Sequence, residues 1–287
     1  MVHRRVGTEL RGGVPQSAHP DRRGASPRRR TRSLTVEHWI EHPAEPRELI
    51  LAWQAPSAIT DRIRWAVGRL AKDQAGFVFD YFDDQPLPRY NRGRGIEQLR
   101  AAGYAGYPAF DLGRRHVGGY RNYALEAFLR RLPPTSRSDF ADYLAYFRIP
   151  LTTRMSPLAL LAATEARLPS DGFSLIDPLD PAADCVEVVF EIAGFRYWQH
   201  NAPDLTLDDP LQLEAERSNP HDPDAVRITA RGKTVGYVNR LQASTARAWL
   251  TSRNLRCWVA RLNGRPEAPR AFAFLQVRPA AQTAAAA

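Results

Sequence analysis

Residues 186–192, with the sequence VEVVFEI, carry the clearest structural pattern in the chain. Every second side chain is apolar, at Val186, Val188, Phe190 and Ile192. Since successive side chains of a β-strand point to opposite faces of the sheet, this period of two predicts a strand with one apolar face. Glu187, Val189 and Glu191 are predicted to lie on the other face.

The residues that follow repeat this pattern in short segments. Further strands are predicted at residues 211–216, 226–229, 234–238, 255–262 and 271–277, and one helix is predicted at residues 241–250. Residues 231–233 (RGK) predict a tight turn between two of the strands. About six short strands and one helix in some 95 residues are typical of a small barrel.

The preceding part of the chain mixes strands with helices. Strands are predicted at residues 48–54, 65–70 and 77–82, with a hairpin turn at residues 73–76 (DQAG). The Pro-, Gly- and Arg-rich residues 83–95 predict a loop, and the pattern turns helical from Ile96. Helices are predicted at residues 123–132 and 138–147, and a third from Ser156, where Pro157 fits the first helical turn. We therefore expect an α+β domain here.

Composition divides the chain into five parts. Residues 1–35 are rich in Arg, Gly, Pro and Ser without periodic apolar residues, so we expect a disordered basic tail. The α+β domain is assigned to residues 36–176, and the turn-rich residues 177–185 are expected to link it to the β domain at 186–278. Residues 279–287 are expected to form a second disordered tail.

The formal net charge of +9 is compatible with a nucleic-acid partner, but its distribution qualifies this interpretation. Nine arginines and two acidic residues lie within residues 1–35, so most of the excess charge belongs to the tail. Two readings of the tail remain open, namely an arm that contacts a nucleic-acid backbone and a segment without function. Only two of the 40 basic residues are lysines, a bias that suggests codon composition and lowers the weight of any single arginine.

The sequence disfavours a membrane or secreted protein. The longest apolar stretch, near residues 158–163, is far shorter than the roughly 20 residues of a transmembrane helix. No apolar segment follows the first arginines as it would in a secretory signal. Cys185 and Cys257 lack a Cys-x-x-Cys partner, so we expect reduced thiols in the cytoplasm and no membrane contact.

The sequence also offers little for catalysis. His38 and His42 match a His-x-x-Glu-His zinc pattern, but Pro43 ends any helix there and no third ligand is evident, so we expect no metal. Residues 232–234 (GKT) lack the first glycine of a phosphate-binding loop. We therefore expect no cofactor and no enzyme activity.

Three short segments of the β domain form a distinctive combination: GFRYW at residues 194–198, NPHDPDAV at 219–226 and VGYVNR at 235–240. Their order and spacing resemble the HIRAN domain, and the resemblance covers residues 186–278. It implies a mostly-β, OB-like barrel that grips the 3′-hydroxyl end of single-stranded DNA. The residues that it implies for nucleic-acid binding are Arg196, Tyr197, Asn219, His221, Asp222, Tyr237 and Arg240. His221 and Tyr237 depart from the family pattern, because they replace a phenol and an imidazole respectively.

The chemistry of these residue types agrees with that implication. The carboxylate of Asp222 can accept a hydrogen bond from a terminal hydroxyl, which distinguishes an end from an internal phosphate. Tyr197 and Tyr237 offer rings for base stacking, and Arg196 and Arg240 can bind phosphate oxygens. Each of these residues also has a structural alternative. Asn219 and Asp222 suit a turn in which their side chains accept hydrogen bonds from backbone amides. Tyr237 could cover the barrel, and Arg240 could be a solvated surface charge.

A second, partial resemblance covers about residues 47–176. The segments VGRL at 67–70, YPAF at 107–110, FLRRL at 128–132 and SPLALL at 156–161 together resemble the amino-terminal subdomain of HipA-type toxins. The kinase activity of that family resides in a larger carboxyl-terminal domain, which this chain does not resemble. No kinase activity is therefore carried over.

The sequence thus predicts an α+β domain followed by an OB-like HIRAN barrel that binds single-stranded nucleic-acid ends, with DNA preferred over RNA, in repair or replication stress. An alternative function is a protein-interaction adaptor, in which the amino-terminal domain docks a protein partner and the barrel is a scaffold. A third is the non-catalytic subunit of a nuclease or helicase assembly.

Overall fold

The computed structural model describes residues 38–55, 63–113, 118–168, 170–200 and 204–280, which lie within one compact unit. The tail predicted at residues 1–35 lies outside the described residues, as do residues 281–287 of the second predicted tail.

The described ranges contain ten strands and seven helices. The first elements in chain order are β1 (Glu48–Gln54), β2 (Arg64–Asp73), β3 (Gly76–Tyr81), α1 (Pro86–Tyr90), α2 (Ile96–Ala101), α3 (Ala124–Leu129), α4 (Phe140–Tyr146), α5 (Pro157–Thr164) and β4 (Phe173–Ile176). They are followed by β5 (Val186–Glu191), α6 (Phe195–Trp198), β6 (Pro210–Ala215), β7 (Val226–Ala230), β8 (Lys233–Tyr237), α7 (Arg240–Ser252), β9 (Arg253–Arg265) and β10 (Ala268–Pro279).

The first sheet is antiparallel, with the strand order β3-β2-β1-β4. β1 lies in its interior and is buried at residues 49–53, so the chain there lacks the alternation of a half-exposed strand. Its core also takes side chains from the helices, such as Leu99 of α2, Phe128 of α3 and Leu161 of α5. The predicted mixture of strands and helices is confirmed for this part of the chain.

Two elements of this part differ from the prediction. α1 lies inside the loop predicted at residues 83–95. Pro86 is compatible with a helix there because it occupies the first turn, where the backbone N–H groups have no partner within the helix. Leu87, the next residue of the helix, is buried. β4 was not predicted at all. All four of its residues are buried, so no period of two marks it, and it pairs with β1 from more than 110 residues away.

The second sheet has the strand order β5-β10-β9-β6-β7-β8. Its six strands and α7 confirm the strands and helix predicted for the β domain. The turn between β7 and β8 places Arg231 and Gly232 at positive φ values of 49° and 74°, as expected of a tight hairpin with a primed turn. One element was missed: the short helix α6 follows β5 directly.

The predicted barrel is not closed by a continuous ladder. Among the described residues, β5 and β8 are the edges of an open sheet, and they meet through a single bridge between Ala193 and Tyr237. In that bridge the Ala193 amide donates to the Tyr237 carbonyl at 2.8 Å, and the Tyr237 amide donates to the Ala193 carbonyl at 2.9 Å. An OB-like arrangement is compatible with such a curled sheet.

Side chains from the two parts share a small core. Ile40, Leu144 and Ile149 pack with Phe272 and Phe274 of β10 in one buried cluster. The fully buried Trp249 of α7 belongs to the larger core of the second sheet. The boundaries given above for the two domains stay a prediction, since these clusters do not divide the chain at residue 176 or 186.

The two histidines of the zinc-like pattern have different partners. The Nδ1 atom of His38 lies 3.0 Å from Oδ1 of Asp208, and its ring stacks on Trp258 with centroids 3.9 Å apart. The Nδ1 atom of His42 instead lies 3.2 Å from Oε2 of Glu187. No group of three or more metal-ligating side chains is found in the part of the chain that the structure describes.

In the described ranges, no helix combines the length and the apolar character required to cross a membrane.

Candidate functional site

A cleft of about 620 Å³ opens between residues of both sheets. One wall comes from the beginning of β2 and from the loop after α1. The other comes from the end of β5, from α6, from the first residues of α7 and from the beginning of β10. Of the residues that the sequence implied for nucleic-acid binding, three line this cleft: Arg196, Tyr197 and Arg240.

Arg196 and Tyr197 lie on α6 at the mouth of the cleft. Gly194 precedes this helix at a φ of 76°, a left-handed conformation that glycine adopts without strain, and the chain turns there from β5 into α6. The guanidinium of Arg196 lies over the ring of Tyr197, 4.6 Å from its centroid. The Tyr197 side chain is 69% exposed, so most of its surface is available for stacking with a base.

Gly236 allows β8 to approach the end of β5. It has a φ of 149°, and a Cβ atom there would lie 2.5 Å from Cγ2 of Ile192 and 2.6 Å from the carbonyl oxygen of Ala193. Only glycine therefore fits between the strands at the bridge that carries Tyr237. The Tyr237 ring is half-buried beside Trp198, with centroids 6.3 Å apart. Burial and a hydrogen bond with Glu216 raise the pKa of the Tyr237 hydroxyl.

Asn219 organises the turn between β6 and β7. Its Oδ1 atom accepts hydrogen bonds from the backbone N–H groups of His221 at 2.9 Å and Asp222 at 3.1 Å. Its Nδ2 atom donates to Oε2 of Glu216 at 2.7 Å. Both polar atoms of the amide are thus engaged within the turn, as in the structural alternative considered above. His221 is exposed, and the hydrogen bond to Asn219 involves its backbone N–H and not its ring.

One carboxylate oxygen of Asp222 takes no part in the hydrogen bonds of the turn. Its Oδ1 atom accepts a hydrogen bond from the backbone N–H of Asp224 at 3.0 Å. The side chain is half-buried, and among the described residues we find no hydrogen-bond donor to its Oδ2 atom. Asp222 also lies close enough to Arg240 for its charge to act on that guanidinium. The carboxylate is therefore oriented by the turn but still has an oxygen for a ligand.

Arg240 begins α7 and lies between the two sheets. Asn239 caps the helix by accepting a hydrogen bond from the Leu241 N–H at 3.1 Å. The Nη2 atom of Arg240 donates to the backbone carbonyl of Arg64 at 3.4 Å. Burial lowers the pKa of Arg240 to about 10, with Arg92 adding to the effect and Asp222 opposing it. The guanidinium is thus held at the cleft and is not the solvated surface charge of the alternative reading.

Four arginines and one glutamate of the cleft were not predicted from the sequence, namely Arg64, Arg92, Arg167, Arg270 and Glu191. Glu191, at the end of β5, accepts hydrogen bonds from Arg64 at 3.0 Å, from Arg167 at 2.7 Å and from Arg270 at 2.7 Å. Burial alone would raise the pKa of Glu191, but the bonds from Arg270 and the charges of Arg64 and Arg167 outweigh it and lower the pKa well below its ordinary value. These residues come from distant segments, and the general arginine bias of the chain gave no signal for them.

The structure therefore groups the implied residues in two places. The cleft is lined by three of them, Arg196, Tyr197 and Arg240. The other four do not line it: Asn219, His221, Asp222 and Tyr237. Asp222 is connected to the cleft through its charge interaction with Arg240, and Tyr237 through the bridge to Ala193.

Comparison with known proteins concerns the second sheet. No curated protein matches the chain. Among solved structures, the crystal structure of the HIRAN domain of human HLTF is similar at 16% sequence identity and a TM-score of 0.28, over 32% of this chain and 74% of that one. Residues 186–278 match the sequence model of the HIRAN domain. This match supports nucleic-acid binding in general. The carboxyl-terminal part of the chain, residues 186–278, is thus a HIRAN domain.

Proposed function

We propose that this protein binds the 3′-hydroxyl end of a single nucleic-acid strand through its HIRAN domain, with DNA preferred over RNA and without catalysing a reaction. The observation that carries the proposal is the cleft that Arg196, Tyr197 and Arg240 line together, with the exposed ring of Tyr197 against the guanidinium of Arg196. Rings and arginines in one groove are the elements with which proteins bind single strands. A protein of this kind would act where strands are interrupted, in repair or under replication stress.

The residues that line the cleft and the neighbouring Asp222 each have a distinct part in this proposal. The Tyr197 ring stacks on a base, for about 1–3 kcal/mol, and the two arginines bind phosphate oxygens. Asp222 is the group that recognises the end, because its Oδ2 atom accepts a hydrogen bond from the terminal hydroxyl. A phosphate at that position would meet the like charge of the carboxylate, so the same residue disfavours blocked ends.

The proposal is tested by fluorescence anisotropy with single-stranded oligonucleotides that end in a 3′-hydroxyl or a 3′-phosphate. We expect the wild-type protein to bind the free end more tightly. Asp222→Ala should abolish this preference, at a loss of about 1.5–3 kcal/mol for the free end, which is the usual contribution of a hydrogen bond to a charged group.

Two variants separate recognition from folding. Asp222→Asn retains an oxygen that can accept the hydrogen bond from Asp224, so the turn should persist, but removes the charge that disfavours a 3′-phosphate. Glu97→Gln changes the charge of an exposed side chain on α2 and is the matched control. Equal binding of free and blocked ends by the wild-type protein would refute the recognition of ends. Binding of no oligonucleotide would favour the adaptor function.

A further inference from the structure

The cleft carries far more positive than negative charge. Six of its described lining residues are arginines, and one is a carboxylate, Glu191. The arginines are Arg64, Arg92, Arg167, Arg196, Arg240 and Arg270. Three of them, Arg64, Arg92 and Arg167, lie in the part of the chain before the HIRAN domain. Both parts of the chain therefore contribute to the positive charge of the cleft, and this charge favours a polyanion as the ligand.

The inner cluster, which consists of Arg64, Arg167 and Arg270, is largely compensated. All three guanidinium groups donate hydrogen bonds to Glu191, and Arg64 also lies 3.5 Å from Oε2 of Glu165. Burial lowers the pKa of Arg167, and the charge of Arg64 adds to this effect while Glu191 opposes it. These bonds fix the inner wall of the cleft, and little of the charge there is left for a ligand.

The outer cluster, which consists of Arg92, Arg196 and Arg240, is compensated much less. The negative charge of Asp222 attracts the guanidinium of Arg240, whereas the positive charge of Arg92 repels that guanidinium. Burial, together with the repulsion from Arg92, lowers the pKa of Arg240 to about 10. Repulsion between nearby guanidinium groups is unfavourable in the free protein. An anion that binds between them relieves it, so the surplus charge at the mouth favours a phosphate.

Arg92 is held at the mouth by a buried anchor. The side chain of the preceding residue, Asn91, is fully buried and pairs with β2, with Oδ1 accepting from the Ala66 N–H at 2.9 Å and Nδ2 donating to the Ala66 carbonyl at 2.9 Å. Nδ2 also donates to the carbonyl of Leu87 at 2.8 Å. Arg92 itself adopts a left-handed φ of 58° and is exposed. The loop after α1 is therefore fixed to the first sheet, and the backbone of Arg92 is held at the cleft without a bound ligand.

We infer that Arg92 and Arg240 together bind an internal phosphate of the same strand, so that the part of the chain before the HIRAN domain completes the nucleic-acid site. This inference rests on the proposed function and extends it from the terminal nucleotide to the strand behind it. The planar donors of two guanidinium groups bind phosphate oxygens with defined geometry. A nucleic acid fits better than an acidic protein segment because the exposed Tyr197 ring lies at the same mouth and can stack on a base.

The test compares Arg92→Ala with Arg89→Ala in the 287-residue protein. Arg89 is an exposed arginine on α1, three residues before Arg92, and it does not line the cleft, so it controls for the loss of one positive charge. Anisotropy titrations over a series of salt concentrations give the slope of log affinity against log salt. We expect Arg92→Ala to reduce the magnitude of this slope by about 0.7, the value for one phosphate contact on a single strand. Arg89→Ala should leave the slope unchanged, and thermal unfolding checks that both variants are folded.

The two proposals fail in distinguishable ways. A linear oligonucleotide with a 3′-hydroxyl reports both sites, whereas a circular single strand has no end and reports the phosphate site alone. A slope that is equal for Arg92→Ala and Arg89→Ala overturns the present inference, even if free ends are still preferred. Binding of linear and circular strands with equal affinity and an Arg92-dependent slope supports the phosphate site and contradicts the recognition of ends. Competition by polyglutamate as strong as that by the oligonucleotide would overturn the assignment to nucleic acid.

Discussion

At the scale of single residues, Gly236 controls whether the two edges of the second sheet can meet. Its backbone lies against Ile192 and Ala193 at distances that leave no room for a Cβ atom, and its φ of 149° is one that side chains of L-residues rarely adopt. The Ala193–Tyr237 bridge that it permits connects Tyr237 to the segment that carries Arg196 and Tyr197. One missing side chain thereby positions groups from two segments of the HIRAN domain.

Gly236→Ala should therefore destabilise the protein and weaken oligonucleotide binding. Backbone strain accounts for about 1–3 kcal/mol, and the clash with Ile192 and Ala193 adds about 1–3 kcal/mol. Gly76→Ala is the matched control, because Gly76 has a φ of 117° but no atom within 4 Å of an added Cβ, so only the strain applies. Denaturant unfolding measures both variants, and equal losses would show that the close approach at Gly236 does not matter.

At the scale of secondary-structure elements, the amino-terminal end of α7 determines where Arg240 points. Asn239 caps this helix, and Arg240 reaches from its first residue across the cleft to the carbonyl of Arg64. The same helix buries Leu241 in the core of the first sheet and Trp249 in the core of the second. The position of the guanidinium is thus coupled to the cap and to the packing behind it.

Asn239→Ala should cost about 1 kcal/mol of stability through the lost cap, and it should weaken oligonucleotide binding because Arg240 loses its orientation. Asn239→Ser retains a side-chain oxygen that can accept the Leu241 N–H, so it should restore both stability and binding. The readouts are the free energy of unfolding and the dissociation constant. If Asn239→Ala bound as tightly as the wild type, the cap would have no part in positioning Arg240.

At the scale of the whole molecule, Asp177 lies where the first sheet continues into the HIRAN domain. It follows β4, its Oδ1 atom accepts the Leu179 N–H at 2.7 Å, and its backbone carbonyl accepts from Nε2 of Gln242 at 3.0 Å. Burial raises the pKa of this carboxyl to about 6, and the charges of Asp180, Glu45 and Glu48 add to the effect, opposed by the bond from Leu179. The connection between the two parts therefore contains an acid that is poorly solvated when ionised.

This raised pKa gives stability a pH dependence of known sign. Because the folded-state pKa exceeds the ordinary value, the stabilising contribution is complete below about pH 3.8 and is lost as the pH rises through about 6. Asp177→Asn keeps an acceptor for Leu179 without the charge, so it should be more stable than the wild type near pH 7.5, by about 3 kcal/mol at most. The difference should shrink towards pH 4. A difference that is constant with pH would contradict the burial of a charged Asp177.

The sequence allowed some parts of the molecule to be predicted and concealed others for physical reasons. The bounds predicted for β1 agree with the structure, and the strands of the HIRAN domain were recognised because one face of each is apolar. β4 was missed because burial on all sides removes that alternation. The cleft was missed in part because Arg64, Arg92, Arg167 and Arg270 meet Arg240 only after folding, and nothing local distinguishes them from the other arginines.

The most direct test of the account is photo-crosslinking with a single-stranded oligonucleotide that carries one photoreactive thymidine, placed either at the 3′ terminus or a few nucleotides before it. Mass spectrometry identifies the crosslinked peptide. We expect the terminal probe to crosslink to the segment with Arg196 and Tyr197 or to the turn with Asp222, and the internal probe to the loop with Arg92. Crosslinks from both probes to the same peptide, or to surfaces away from both the cleft and that turn, would contradict the account.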